Sequence, residues 1–214
     1  MILIIIFVLM LGLYIYLGKK KGRQDVINVY FGVPGAGKTT MAAYLTKKDL
    51  KKGRNVWSNV PITGAFAMDP KKDIGKKMFT VNGVVGGSLI IDEAGIEYNN
   101  RAYKQLDPLA IKFFKYHRHY ETSIDVFSQS HEDMDITLRR LAQNYFVCKR
   151  SLIPNVIVCK AIGRRIGIDD NTHQIIDEYF WKPFGTKWIW SRPLWKMFNT
   201  VSREELPEND WKKW

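Results

Sequence analysis

Cysteine is scarce in this 214-residue chain, which carries only Cys148 and Cys159. Two cysteines exclude a disulfide framework. Neither has a second Cys or a His at zinc-ligand spacing, so a structural zinc site is excluded as well. A hairpin turning around Pro154 would set the two opposite each other, and in a reducing cytosol both read as small apolar residues. Acidic residues are also few, with Asp+Glu 21 against Lys+Arg 33 and a formal net charge of +12. The imbalance reads either as an anionic partner (nucleic acid, nucleotide or anionic lipid) or as solubility combined with membrane orientation. No internal repeat and no low-complexity stretch interrupts the chain.

One long apolar run is present. Met1–Leu17 (MILIIIFVLMLGLYIYL) contains no charge. As a helix at about 1.5 Å per residue it spans roughly 25 Å, slightly less than a ~30 Å hydrocarbon core. Lys19–Lys21 and Arg23 come directly after it and can snorkel to make up the difference. The run lacks a basic segment before it and a small-residue cleavage site after it, which argues against a secretory leader. It reads as a transmembrane helix over 1–17 with a basic linker over 18–25. The basic side is cytoplasmic, so the N-terminus lies outside and the domain beyond the linker lies in the cytoplasm of the host cell.

Beyond the linker, β-branched apolar runs alternate with helix-forming stretches. Strands are expected at Val26–Phe31, Asn55–Val60, Ser88–Ile91 and Ser123–Ser128. Helices are expected at Lys38–Lys52, Leu106–His119 and Ile136–Gln143. A small hairpin is expected around Asn82-Gly83, and a late one from Asn144–Arg150 and Asn155–Ile162. This alternation predicts an α/β domain over 26–180 with a mainly parallel sheet. The tail over 181–214 holds Trp181, Trp188, Trp190, Trp195, Trp211 and Trp214 among basic residues and prolines. It reads as an extended segment packed on the domain, on a neighbouring subunit or on the membrane interface.

Four motifs carry chemistry. Gly32-Val33-Pro34-Gly35-Ala36-Gly37-Lys38-Thr39 matches G-x-x-x-x-G-K-[ST] between a strand and a helix, the context the motif requires. This is a P-loop. Backbone N–H groups from Gly32, Pro34's neighbours, Gly35, Ala36 and Gly37 are expected to cradle phosphates at a helix N-terminus. Lys38 would reach the β- and γ-phosphates, Thr39 would hold Mg²⁺, and Thr40 would contact the α-phosphate. The second motif is Leu89-Ile90-Ile91-Asp92-Glu93, an apolar strand ending in two acids 54 residues after Lys38. In this Walker B pattern Asp92 orients the magnesium shell, and Glu93 positions or deprotonates the attacking water. The third is Gln129, at the end of the next core strand, either a γ-phosphate sensor or an ordinary strand-end glutamine. The fourth is Arg139-Arg140, which reads either as a charge donor to a neighbouring subunit's site or as arginines that are solvated or contact phosphate. Lys71, Lys72, Lys76 and Lys77 either line a pore or are solvated, and His117, Arg118 and His119 form a structural or a phosphate-facing cluster.

GVPGAGKTT, LIIDEAG and HRHYETSIDVFSQSHEDMDITLRRLAQNYFVCKRS together resemble the zonula occludens toxin family, which includes the gene I assembly protein of filamentous bacteriophages. The resemblance covers roughly Val26–Ser151. It implies an additional-strand, FtsK/HerA-like P-loop ATPase that assembles and extrudes filamentous virions. The cofactors implied are ATP and Mg²⁺. The partners implied are further copies of the chain in a hexameric ring, the membrane, and phage coat or packaging proteins with single-stranded DNA. By match, Lys38 and Thr39 carry nucleotide binding, Asp92 and Glu93 hydrolysis, and Gln129 sensing. Arg139 or Arg140 falls where the family has an arginine after the sensor strand. The chain departs from familiar phage members, which place the membrane helix after the ATPase and an external domain beyond it. Alternatives from the same ATPase branch and from other classes make different predictions. A DNA-translocating ATPase requires DNA-stimulated hydrolysis, a kinase requires an acceptor, and a scaffold binds ATP without turnover.

Overall fold

A computed structural model describes residues 25–94, 107–132, 134–168 and 175–198, together with the helical positions Ile6, Phe7, Met10 and Gly12. Most of the segment expected to cross a membrane, most of the linker and the last sixteen residues (199–214) lie outside the described residues. Among the described residues no helix is long and apolar enough to cross a membrane.

Strand β1 (Ile27–Phe31) is buried at every position. So are β6 (Gly87–Ile91) and β7 (Thr122–Ser128). Such near-continuous apolar runs are what a parallel sheet covered on both faces demands. The remaining strands are β2 (Val56–Ser58), β3 (Phe66–Ala67), the hairpin β4 (Thr80–Val81) and β5 (Val84–Val85), β8 (Asn144–Arg150), β9 (Val156–Ile168), β10 (Ile175–Trp181) and β11 (Lys187–Trp190). The main sheet runs β10-β9-β8-β1-β7-β6-β2-β3, with β11 also on β9. From β8 to β3 every neighbour is parallel. β9 then pairs antiparallel with β8, β10 and β11. The expected hairpins at Asn82-Gly83 and around Pro154 are both present.

Period-two alternation splits the core between the two faces. Tyr30, Ile90 and Phe127 point to the face covered by helix α1 (Lys38–Leu50), through Met41, Ala42 and Leu45. Val29, Phe31, Leu89, Ile91 and Val126 point to the other face. That face is covered by α3 (Pro108–Tyr116) through Phe113 and Phe114, and by α4 (Ile136–Leu141) through Leu138. A short α2 (Pro70–Asp73) is capped by Asp69, whose carboxylate accepts the N–H groups of Lys71 and Lys72.

Register at the sheet centre is pinned by a buried polar ladder. Asn28 Nδ2 donates to Asp125 Oδ1 at 2.7 Å, and Asn144 Nδ2 donates to Asn28 Oδ1 at 2.9 Å. These residues are directly opposite across β7-β1-β8. A one-residue slip would strand all three polar side chains, so the ladder disfavours any other pairing. Cys148 and Cys159 are likewise opposite each other on β8 and β9, both buried. The hydrogen bond from its partner and burial together push the Cys159 thiol far above its ordinary range, which suits inert core residues.

The structure bears on three further expectations. Arg118 does not face phosphate. Its Nε donates to the carbonyl of Asp25, and the ring of the buried His117 bonds the carbonyls of Phe114 and Asp25. Asp25 precedes β1, so this cluster lies at the opposite end of the sheet from the loop after β1. There Arg54 pairs with Asp25 at 2.8 Å. The tail is not simply extended either. β11 is a sheet strand, and a 3-10 helix lies beyond it at Arg192–Met197. Three of the insert lysines pair with acids while staying exposed: Lys72 with Asp69, Lys77 with Asp73 and Lys76 with Asp107, at 3.0, 2.6 and 2.9 Å.

Candidate functional site

The C-terminal ends of β1, β7 and β6 lie side by side, and each delivers one part of the site. From β1 the chain turns through residues 32–37 into α1. Gly37 adopts φ 92° at the helix start, and a Cβ there would lie 2.5 Å from Ile157 Cγ2. Only glycine meets both demands. The first turn of α1 contains no acidic side chain, so the exposed N–H groups and helix dipole favour an anion there. Lys38 is buried, and its ammonium donates to the carbonyl of Gly32 at 2.7 Å. Pro34 and Gly35 are exposed in the loop, while Gly32, Ala36 and Thr40 are buried.

Asp92 directly follows β6 and is also buried. Its backbone is clamped by Asn59 at both polar atoms: Asp92 N–H donates to Asn59 Oδ1 at 2.7 Å, and Asn59 Nδ2 donates to Asp92 O at 2.9 Å. Thr39 Oγ1 donates to Asp92 Oδ2 at 3.2 Å. The two residues expected to serve a metal are therefore neighbours, although 53 positions apart in sequence. Glu93 comes next in the left-handed region at φ 51°, held by its own N–H donating to Asp92 Oδ1 at 2.9 Å. A non-glycine residue in that region stores strain, a feature that gathers at functional sites. β7 delivers Gln129, whose Nε2 donates to Glu93 Oε2 at 3.2 Å. β7 lies between the strand of the loop and the strand of Asp92, as the additional-strand resemblance implies.

Burial pushes the Asp92 carboxyl above its ordinary value, and the nearby Glu93 charge adds to this. The Glu93 N–H, the Thr39 hydroxyl and the Lys38 charge oppose it. A folded-state carboxyl that holds its proton more tightly makes stability fall as pH rises above the unfolded value of about 3.9. In magnesium-free, nucleotide-free protein, Asp92→Asn is therefore expected to raise Tm at pH 7 by a few degrees. The gain should shrink as pH falls towards 4 and the wild-type carboxyl takes up its proton. Thermal scans of both proteins across that range check it.

Arg139 and Arg140 are not brought to the loop. Arg139 Nη1 bonds His131 Nδ1 at 3.1 Å, and the Arg139 carbonyl accepts the Tyr145 hydroxyl. Arg140 is exposed. A different arginine is in place, one that sequence reasoning passed over. Arg150, at the end of β8, donates through Nε to the carbonyl of Gly35 at 2.8 Å. A cleft of about 640 Å³ opens between the loop, Glu93, Arg150 and two aromatic residues of the tail, Trp195 and Phe198. Asn59 was also passed over. Its signal lay in its position at the end of β2, beside the strand that carries Asp92.

Comparison with known proteins agrees with this geometry. The family model for zonular occludens toxin (Zot) matches residues 26–154, more than half of the chain. The N-terminal domain of zonular occludens toxin from Neisseria meningitidis overlays with a TM-score of 0.56 at 17% identity, covering 82% of this chain and all of that one. The DNA-packaging ATPase B204 of Sulfolobus turreted icosahedral virus overlays at a TM-score of 0.46 with 14% identity, covering 77% of this chain and all of that one. No curated protein matches the sequence. With a P-loop, an acidic strand end and an intervening strand in this arrangement, the chain has the P-loop NTPase fold and belongs to the zonular occludens toxin family.

Proposed function

We propose that this chain is a membrane-anchored ATPase motor that hydrolyses ATP to drive assembly and extrusion of filamentous phage virions through the host membrane. The observation that carries the reading is the 3.2 Å contact between Gln129 and Glu93, made where the middle strand ends between the phosphate loop and Asp92. A glutamine that touches the base for water can report the state of the γ-phosphate to it.

In this reading Lys38 leaves the Gly32 carbonyl and pairs with the β- and γ-phosphate oxygens of ATP, while the loop N–H groups hold the chain of phosphates. Thr39 Oγ1 and the Asp92 carboxylate are hard oxygen donors already in contact, and they fit Mg²⁺. The ion would supply neutralisation of phosphate charge. Glu93 orients a water and takes its proton as the water oxygen bonds to the γ-phosphorus and the bond to ADP breaks. Gln129 holds Glu93 in line for that transfer. Exposed Arg140 is the arginine we assign to the neighbouring subunit's site in a hexameric ring.

The anchor is the apolar segment at Met1–Leu17, with the N-terminus outside and the ATPase in the cytoplasm. The partners are coat or packaging proteins carrying single-stranded DNA. In cells producing the phage, Glu93→Gln is expected to lower the extracellular virion titre at least about a hundredfold, with coat protein and single-stranded DNA accumulating inside. An unchanged titre would refute the extrusion reading.

A further inference from the structure

We propose that Trp195, with Phe198 beside it, is the nucleobase platform of this site. The proposal rests on the nucleotide reading above and names the part of the ligand that the phosphate motifs leave unheld.

Four observations carry it. First, Trp195 is 53% exposed although it sits in a helix whose preceding residue, Leu194, is buried, so its ring does not serve the core. Second, the helix is anchored on both sides. Leu194, 3% exposed, inserts among Met41, Ala42 and Leu45 of α1. Before it, Ser191 donates its N–H to the carbonyl of Asn155 at 2.7 Å and its hydroxyl to the same oxygen at 2.9 Å. After it, Thr63 N–H donates to Met197 O at 2.8 Å, and Ile62 bridges Phe198. An aromatic ring on such a strap loses little further freedom when a ligand stacks on it.

Third, Trp195 and Phe198 line the same cleft as Gly37, Lys38, Thr39 and Thr40. Fourth, the lining is divided by chemistry. The loop, Lys38 and Arg150 suit phosphate. Trp195 and Phe198 are the aromatic surfaces there among the described residues, and they suit a flat heterocycle. A ligand that is polyanionic at one end and planar at the other fills the cleft, which describes a nucleoside triphosphate. The tail thus reaches back across 163 positions (195 minus 32) to complete a site begun at Gly32.

The test uses full-length protein in detergent, carrying Glu93→Gln so that ATP persists, titrated with ATP and with inorganic tripolyphosphate. With Trp195 intact, ATP is expected to bind at least about tenfold more tightly than tripolyphosphate. Trp195→Ala should weaken ATP about tenfold, at the modest end of aromatic–base stacking, and leave tripolyphosphate unchanged. Trp195→Phe should restore most of the loss. If Trp195→Ala binds ATP as tightly as its parent, or weakens both ligands alike, the platform is overturned while the phosphate site stands. If the parent binds neither ligand, the nucleotide reading falls together with the platform.

Discussion

Lys38→Ala is expected to weaken ATP binding at least about thirtyfold and to bring hydrolysis below detection, with the fold retained. The ammonium of Lys38 is buried and donates to Gly32 O at 2.7 Å, with Val33 O at 3.5 Å. It is thus stored on the loop's own carbonyls, a short swing from where phosphate oxygens would lie. Losing a desolvated charge from a site that binds a polyanion costs about 2–5 kcal/mol, or about thirtyfold to several thousandfold. The fold should survive because the carbonyls left behind lie beside an open cleft and can be hydrated. Calorimetric titration with ATP, paired with circular dichroism, separates the two effects. Unchanged affinity would mean that this loop does not hold phosphate.

Tyr30→Ala is expected to cost about 3–5 kcal/mol of stability, the usual range for truncating a large buried aromatic. Tyr30 is fully buried on β1 and stacks between Phe127 and Phe146, with both ring centroids at 4.8 Å. Its hydroxyl accepts from Lys187 Nζ at 2.8 Å, which ties β11 to the sheet centre. Truncation would open a cavity beneath the strand that feeds the phosphate loop and would leave Lys187 without that partner. A domain of ordinary stability, about 5–15 kcal/mol, would lose a large fraction of it. Tyr30→Phe should cost less, about 1.5–3 kcal/mol, because the lost partner is a charged ammonium. Urea denaturation midpoints for the three proteins check both figures. A Tyr30→Ala loss below about 1 kcal/mol would mean that the three-ring stack does not hold the sheet together.

The parts of the site with local signatures were legible in the sequence. A glycine loop after an apolar strand, and acids at the end of another, each announce themselves within a dozen residues. Strand order was legible only through the family resemblance, because pairing is non-local. Arg150 had no signature at all: it meets Gly35 across 115 residues, and only the parallel pairing of β8 with β1 brings it there. Trp195 was ambiguous for a different reason. Tryptophan packs equally well on a domain, a partner or a bilayer, so composition could not choose among them. The choice between a structural and a phosphate-facing role for the cluster around Arg118 could have been made from the sequence. A helix that leads into a parallel strand must end at that strand's N-terminal side, away from the phosphate loop, and α3 leads into β7. The insert lysines were half legible, since Asp69–Lys72 and Asp73–Lys77 have helical spacing, whereas Lys76–Asp107 joins the turn after α2 to the cap of α3.

Hydrolysis of ATP by this chain depends, in the proposed mechanism, on Glu93 held by Gln129 beside the phosphate loop. Steady-state phosphate release from full-length protein in detergent, wild type beside Glu93→Gln, tests it most directly. The expected result is release from the wild type, at least about a hundredfold less from the variant, and ATP bound by both. Equal release from the two proteins would contradict it.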